Sequence, residues 1–228
     1  PASDTATTAW HWRSFPKAKH YPQCARRKKM TYMKLKTTLT VALGLLAATG
    51  AQAETKTAVF GGGCFWCTEA DFDKVPGVLK TISGYAGGQY KDPDYKVVSA
   101  GRTDHTEVVE VTYDDTKVSY SQLVEYFWKT IDPTVKNRQF CDGGTQYRSG
   151  FYYLNEEQKK VAEASKAKLQ ATGKFKTIYT TVEAAQTFYV AEEYHQDFYR
   201  KNPLRYQYYK TTCGRENRLN EVWGYKPK

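Results

Sequence analysis

The sequence predicts an α/β or α+β domain built around a mixed sheet. Three observations carry that expectation: short strand-like runs alternate with helical ones, some connections are too short for crossovers, and no internal repeat interrupts the pattern. The alternation begins only after residue 53, so the chain divides before it folds.

The 228-residue chain has a formal net charge of +10, which at face value suggests a nucleic-acid partner. The distribution of charge excludes one. Residues 1–53 hold nine Lys/Arg and one acid, leaving 25 basic and 23 acidic residues in 54–228. Met30–Lys36 is a short basic run, Leu39–Ala48 is apolar, and Ala51-Gln52-Ala53 is a small-x-small cleavage site. Together they read as a secretory signal peptide over 30–53, cut after Ala53. The apolar run is shorter than the roughly 20 residues a membrane span needs. Residues 1–29 are expected to be an upstream extension outside the mature protein. The mature part, 54–228, is then a single catalytic domain in the periplasm, monomeric and without a membrane partner.

Within it the elements follow in order. Thr57–Phe60 is a strand, and Gly61-Gly62-Gly63 leads into a helix over Cys64–Asp73. Val78–Tyr85 is a strand, and Tyr95–Ser99 a single helical turn. His105–Tyr113 alternates most clearly, with His105, Glu107, Val109, Val111 and Tyr113 on one face. Ser119–Ile131 is an amphipathic helix with Ser119 and Gln122 as a capping box. A long loop, Thr134–Tyr147, has the length of a functional one. Then come a strand at Ser149–Leu154, a helix at Glu156–Gln170 capped by Asn155, a strand at Ile178–Val182 and a helix at Ala191–Lys201. The tail, 204–228, is rich in Tyr and Arg and reads as irregular.

The chemistry centres on Gly61–Cys67. A cysteine at a strand-to-helix turn meets unpaired backbone N–H groups and the positive end of the helix dipole, which lower a thiol pKa. Glycines before it remove bulk, and Phe65 and Trp66 form an apolar wall beside it. Cys64 is therefore read as a nucleophile in an aromatic pocket. Cys64-x-x-Cys67 is also the spacing of a thiol–disulfide redox pair. Thr68 stands where a haem-attachment motif needs His, and Trp66 where a dinucleotide fingerprint needs its last Gly. Cys141 and Cys213 are single and far apart, so no metal is expected, nor a cofactor. The strand face that Glu107 shares with valines would desolvate its carboxyl and raise its pKa. His195, between Tyr194 and Gln196, reads as structural; a Cys–His hydrolase would need it as base.

Six ordered motifs carry a resemblance over nearly all of 54–228: Gly63-Cys64-Phe65-Trp66, Gly84–Gly88, Pro93-Asp94-Tyr95, His105-Thr106-Glu107, Asp142–Ser149 and Tyr194-His195-Gln196. The chain resembles a peptide methionine sulfoxide reductase of the A class. The resemblance implies a two-layer sandwich of ferredoxin-like type and reduction of methionine S-sulfoxide, free or in proteins. It implies Cys64 as nucleophile, Phe65 and Trp66 around the substrate methyl, Glu107 as proton donor, Tyr95 and Tyr147 as hydrogen-bond donors to the oxygen, and Asp142 beside them. Attack yields methionine and a sulfenic acid on Cys64. A second thiol forms a disulfide, which a thioredoxin-like donor reduces. Cys213, Cys67 and Cys141 compete as that second thiol, Cys213 first because a mobile tail could reach. The rival readings are a periplasmic thiol–disulfide oxidoreductase using Cys64 and Cys67, and an exported binding module using the Tyr-rich tail.

Overall fold

Alternation along the strands sorts the core into two faces, and the computed structural model describes this for residues 54–224. The expected extension and signal peptide, residues 1–53, lie outside the described residues. In chain order the elements are β1 (Thr55–Gly62), α1 (Phe65–Phe72), β2 (Val78–Ala86), α2 (Tyr95–Ser99), β3 (Thr106–Asp114), α3 (Tyr120–Trp128), β4 (Arg138–Gln139), β5 (Asp142–Gly143), β6 (Ser149–Tyr153), α4 (Glu156–Ala171), β7 (Thr181–Ala184), β8 (Tyr189–Val190), α5 (Phe198–Lys201), α6 (Pro203–Thr212) and α7 (Arg215–Trp223).

One sheet runs in the order β7-β6-β1-β3-β2-β8. Its inner four strands, β6-β1-β3-β2, are mutually antiparallel. With α1 between β1 and β2, and α3 between β3 and β6, they form the split βαβ arrangement of ferredoxin-like folds. Beyond it, β7 pairs parallel to β6, a connection that needs a crossover, which α4 supplies. The sheet is therefore mixed, as expected.

Ala58 and Phe60 of β1, Val109 and Val111 of β3, and Phe151 of β6 pack with Phe72, Leu123, Phe127 and Ile131 of the helical layer. Their neighbours Val59, Val108 and Tyr152 point the other way, to a smaller cluster with Ala185. The Phe60 ring lies 4.6 Å from Phe72 and 5.1 Å from Phe127. The capping box of α3 forms: Gln122 N–H donates to Ser119 Oγ, and Ser119 N–H to Gln122 Oε1. Asn155 Oδ1 caps α4 through the Gln158 N–H at 2.9 Å. Among the described residues no helix is long and apolar enough to cross a membrane.

Three sequence expectations fail. The strand expected at Ile178–Val182 begins at Thr181, because the Tyr179 N–H donates to the Pro133 carbonyl at 2.8 Å and not to the sheet. The helix expected at Ala191–Lys201 is broken into a 3-10 turn at Glu193–His195 and the short α5. There the Gln196 side chain holds the chain to the edge of β2. Its Oε1 accepts from Ser83 N–H at 2.9 Å, and its Nε2 donates to the Ser83 and Ala191 carbonyls, each at 2.9 Å. Asp197 then turns through φ 52°. The tail expected to be irregular forms α6 and α7, joined at Gly214 with φ 64°. Its inward side, Tyr206, Tyr209 and Cys213, has helical spacing but is aromatic and polar, so an aliphatic pattern does not reveal it.

Candidate active site

Gly63 sets the turn that presents Cys64. Its φ is +85°, and a Cβ there would lie 2.5 Å from the Gln139 side chain, so both conformation and space demand glycine. Gln139 is fixed in turn: Asp132 N–H donates to its Oε1 at 2.9 Å, and its Nε2 donates to the Asp132 carbonyl at 2.8 Å. Cys64 is the N-cap of α1, and Cys67 lies in the first turn.

Pairing of β1 with β3 sets Phe60 opposite Val109, which brings Glu107 to the same end of the sheet as the Cys64 turn. Glu107 is 2% exposed and accepts the Phe65 N–H on Oε2 at 3.1 Å. Burial pushes its carboxyl up to about 8; the Phe65 N–H opposes this, while Asp142 and Cys67 add to it. The desolvation expected from the strand face is thus present, and the group holds a proton at neutral pH.

The lowered thiol pKa expected for Cys64 is not found. Burial raises it first, then its hydrogen bond with Cys67 and the nearby Glu107 and Asp142 charges. The helix-terminal N–H that could have favoured a thiolate is taken by Glu107. Cys67 moves the other way, lowered first by the Cys64 hydrogen bond and then by Arg215, against the effect of burial. Of the two thiols, Cys67 is therefore the more acidic.

The aromatic wall is built from both ends of the chain. Trp66 stacks on Phe198 at 3.7 Å and 7°, and its Nε1–H donates to His195 Nδ1 at 2.9 Å. Phe65 lies 4.9 Å from His195 and 6.5 Å from Tyr95, ring to ring. Burial holds His195 down to about 4, so it is neutral and accepts through Nδ1. It orients Trp66, in keeping with the structural reading. Glu192 ties two more rings in place, accepting the Tyr85 hydroxyl at 2.9 Å and the Tyr95 N–H at 2.8 Å.

Burial, Glu107 and Cys64 push the Tyr95 phenol up to about 12, and burial raises Tyr147 likewise, so both remain neutral donors. Asp142 lies on β5, within the loop that the sequence left without structure. Burial raises its carboxyl, while the Tyr209 hydroxyl donating to Oδ2 opposes the rise. Cys64, Cys67, Asp142, Tyr209 and Cys213 line one small cavity. Cys213 is not on a mobile tail: it caps α6 and is disulfide-bonded to Cys141, leaving Cys64 and Cys67 free. Arg215 closes this side, buried, with its Nη2 donating to Asp71 Oδ2 and the Thr130 carbonyl, each at 2.7 Å.

The structure thus gathers every expected residue: Cys64, Phe65, Trp66, Tyr95, Glu107, Asp142, Tyr147 and all three further cysteines. Sequence reasoning missed Glu192, Phe198, Tyr209 and Arg215. For Tyr209 a signal existed, its three- and four-residue spacing from Tyr206 and Cys213; for Glu192 there was none.

A half-buried Cys64 beside a buried Cys67, a protonated carboxylic acid and an aromatic wall on a ferredoxin-like sheet define a cysteine-dependent oxidoreductase. The profile of the family described as "Peptide methionine sulfoxide reductase" matches residues 56–227. The chain belongs to the peptide methionine sulfoxide reductase family. It is 46% identical over 186 residues to peptide methionine sulfoxide reductase MsrA 2 of Caulobacter vibrioides, covering 80% of this chain and 94% of that one. It is 46% identical over 170 residues to MsrA of Bacillus subtilis, covering 74% and 96%. Among solved structures it is similar to methionine sulfoxide reductase A of Corynebacterium diphtheriae (TM-score 0.60, 39% identity, 68% of this chain and 78% of that one). The reduced form of Mxr1 from Saccharomyces cerevisiae is similar too (TM-score 0.62, 36% identity, 66% and 87%).

Proposed function

We propose that this enzyme reduces the S epimer of methionine sulfoxide, free or in oxidised proteins, through a sulfenic acid on Cys64 that Cys67 resolves. Membership of the family carries the coarser activity, reduction of methionine sulfoxide and repair of oxidised proteins. The single observation that carries the mechanism is the protonated Glu107 beside Cys64. A sulfoxide oxygen leaves only once it is protonated, and a carboxyl pushed up to about 8 supplies that proton at neutral pH.

Tyr95 and Tyr147, neutral donors, hold the oxygen. The substrate methyl lies against Phe65 and Trp66. As Cys64 attacks sulfur it gives up its own proton to solvent, while Glu107 delivers one to the oxygen. Methionine leaves, and the sulfoxide oxygen stays on Cys64 as the sulfenic acid. Cys67 then attacks that sulfur, giving a Cys64–Cys67 disulfide and water, which a thioredoxin-like dithiol reduces. Cys67 is preferred to Cys213 and Cys141 because those two are bonded to each other, while Cys67 is a free thiol one helical turn away. A plain thiol–disulfide oxidoreductase needs neither the aromatic wall nor a protonated Glu107.

Turnover of each sulfoxide epimer with dithiothreitol as reductant tests the reading. Activity on the S epimer that vanishes in Cys64→Ser supports it; equal turnover by Cys64→Ser sinks it. We further propose that residues 30–53 export the protein to the periplasm, where it acts as a monomer. Amino-terminal sequencing of the periplasmic protein should begin at Glu54.

A further inference from the structure

The sequence sets Cys141 and Cys213 far apart and so predicts no metal site there, yet the fold brings them together. Among the described residues, one group of metal-ligating side chains converges: Cys141, Asp142 and Cys213, whose ligand atoms all lie within 4.8 Å of one another. Cys64 borders the cavity that Asp142 and Cys213 line. Two sulfurs and one carboxylate, from β5 with its preceding residue and the end of α6, thus converge, and Cys64, the N-cap of α1, lines the same cavity as Asp142 and Cys213 outside that group.

Chemistry and charge suit a thiophilic cation. Zinc takes four donors tetrahedrally, with Zn–S near 2.3 Å and Zn–O about 2.0–2.2 Å, so its ligand atoms sit about 3.3–3.8 Å apart. Three donors already within 4.8 Å approach that demand with small side-chain rotations, and a fourth must come from Cys64 across the cavity. The two thiols of a reduced Cys141–Cys213 pair start close, because their Cα atoms are 4.9 Å apart. The two cations lining the cavity are both engaged, Arg215 with Asp71 at 2.7 Å and Lys210 with Glu216 at 2.5 Å, and so oppose a metal less than free cations would. Tyr209 stands behind Asp142 and donates to Oδ2, leaving Oδ1, the oxygen facing Cys141 Sγ at 3.8 Å, for the metal. An outer hydrogen bond of this kind is what orients a ligating carboxylate.

We propose that, when the Cys141–Cys213 bond is reduced, the two sulfurs and Asp142 bind a thiophilic divalent cation of the zinc class, with Cys64 as fourth ligand. Disulfide and metal exclude each other, since both use the same two sulfurs. Metal binding stands on geometry and needs no assumption about substrate; only its consequence, masking of the nucleophile, rests on the function proposed above.

The test uses the full chain in a Cys24→Ser background, reduced with a phosphine that is then removed. Zinc is titrated in competition with a chromophoric chelator, and cobalt is bound in parallel to read the geometry from its visible spectrum. The reduced protein should bind a single equivalent, with a tetrahedral cobalt spectrum. The same protein oxidised at Cys141–Cys213 should bind none, a comparison that needs no further variant. Cys141→Ser and Cys213→Ser should each weaken binding by about tenfold or more, whereas Cys67→Ser should retain it. Equal affinity in reduced and oxidised protein overturns the proposal. So does undiminished binding by folded Cys141→Ser and Cys213→Ser, or an octahedral cobalt spectrum. Bound zinc should also abolish turnover until a chelator is added; if binding is confirmed while turnover persists, the metal site stands and the Cys64 ligand is wrong.

Discussion

The candidate active site has two halves that are held in different ways. The sheet half, Cys64, Phe65 and Glu107, is placed by main chain: strand register, the Gly63 turn and the N-terminus of α1. The C-terminal half, His195, Tyr209, Cys213 and Arg215, is placed almost wholly by side chains, through the contacts Trp66–His195, Tyr209–Asp142, Cys141–Cys213 and Arg215–Asp71. Register fixes where a proton and a sulfur meet. Side-chain bonds decide which groups surround them. Substitutions in the first half should therefore damage chemistry, and those in the second stability or rate in smaller steps.

The largest expected effect is at Glu107. Glu107→Gln should lower kcat by about 10²–10³-fold, the range of a lost general acid, with the fold retained. Wild-type turnover should fall as pH rises through about 8, where the neutral acid is lost. The sign for stability is the same. The folded carboxyl sits above its ordinary value of 4.5, so the folded state keeps a proton that the unfolded chain gives up, and stability falls as pH rises from there to about 8. Glu107→Gln should flatten that fall in a melting series from pH 5 to pH 9. A full-rate Glu107→Gln enzyme would break the division between the halves.

Next is Arg215→Ala, which leaves Asp71 with only the exposed Lys74 at 3.5 Å and the Thr130 carbonyl without its donor, and should cost about 3 kcal/mol by denaturant unfolding. The side chains of the pair are 4% and 15% exposed, so solvent cannot replace the contact. Tyr209→Phe should cost about 1–1.5 kcal/mol in kcat/KM, roughly five- to tenfold, because Asp142 loses its donor and its carboxyl rises further. Smallest is Ser119→Ala, which removes the α3 cap far from the site; about 1 kcal/mol of stability should go, with no change in kcat.

The same division explains what could be read from the sequence. Alternation in β3 exposed Glu107 and its buried face directly, and the Ser119–Gln122 box appeared as expected. The mixed sheet and its layering followed from alternating strand and helix signals plus a family resemblance; the strand order came only with the structure. The tail resisted, because Tyr206 and Arg215 are buried and Tyr209 is half-buried on aromatic and charged side chains that leave no aliphatic stripe. Glu192 was invisible for the same reason: nothing local marks an acid whose two partners, Tyr85 and Tyr95, are far away in sequence. The Cys64 thiol rises where a lowered value was expected because burial outweighs the helix N-terminus, whose first N–H goes to Glu107.

Gln196 has a meaning outside catalysis. Its amide accepts from and donates to the same residue of β2, as a neighbouring strand would. The partner strand there, β8, is only two residues long. A side chain thus completes a rung at the margin of the sheet, and an unfilled rung is what recruits a second chain into edge-to-edge aggregation. Gln196→Ala should leave the chemistry alone and shorten the time such a protein stays soluble at high concentration.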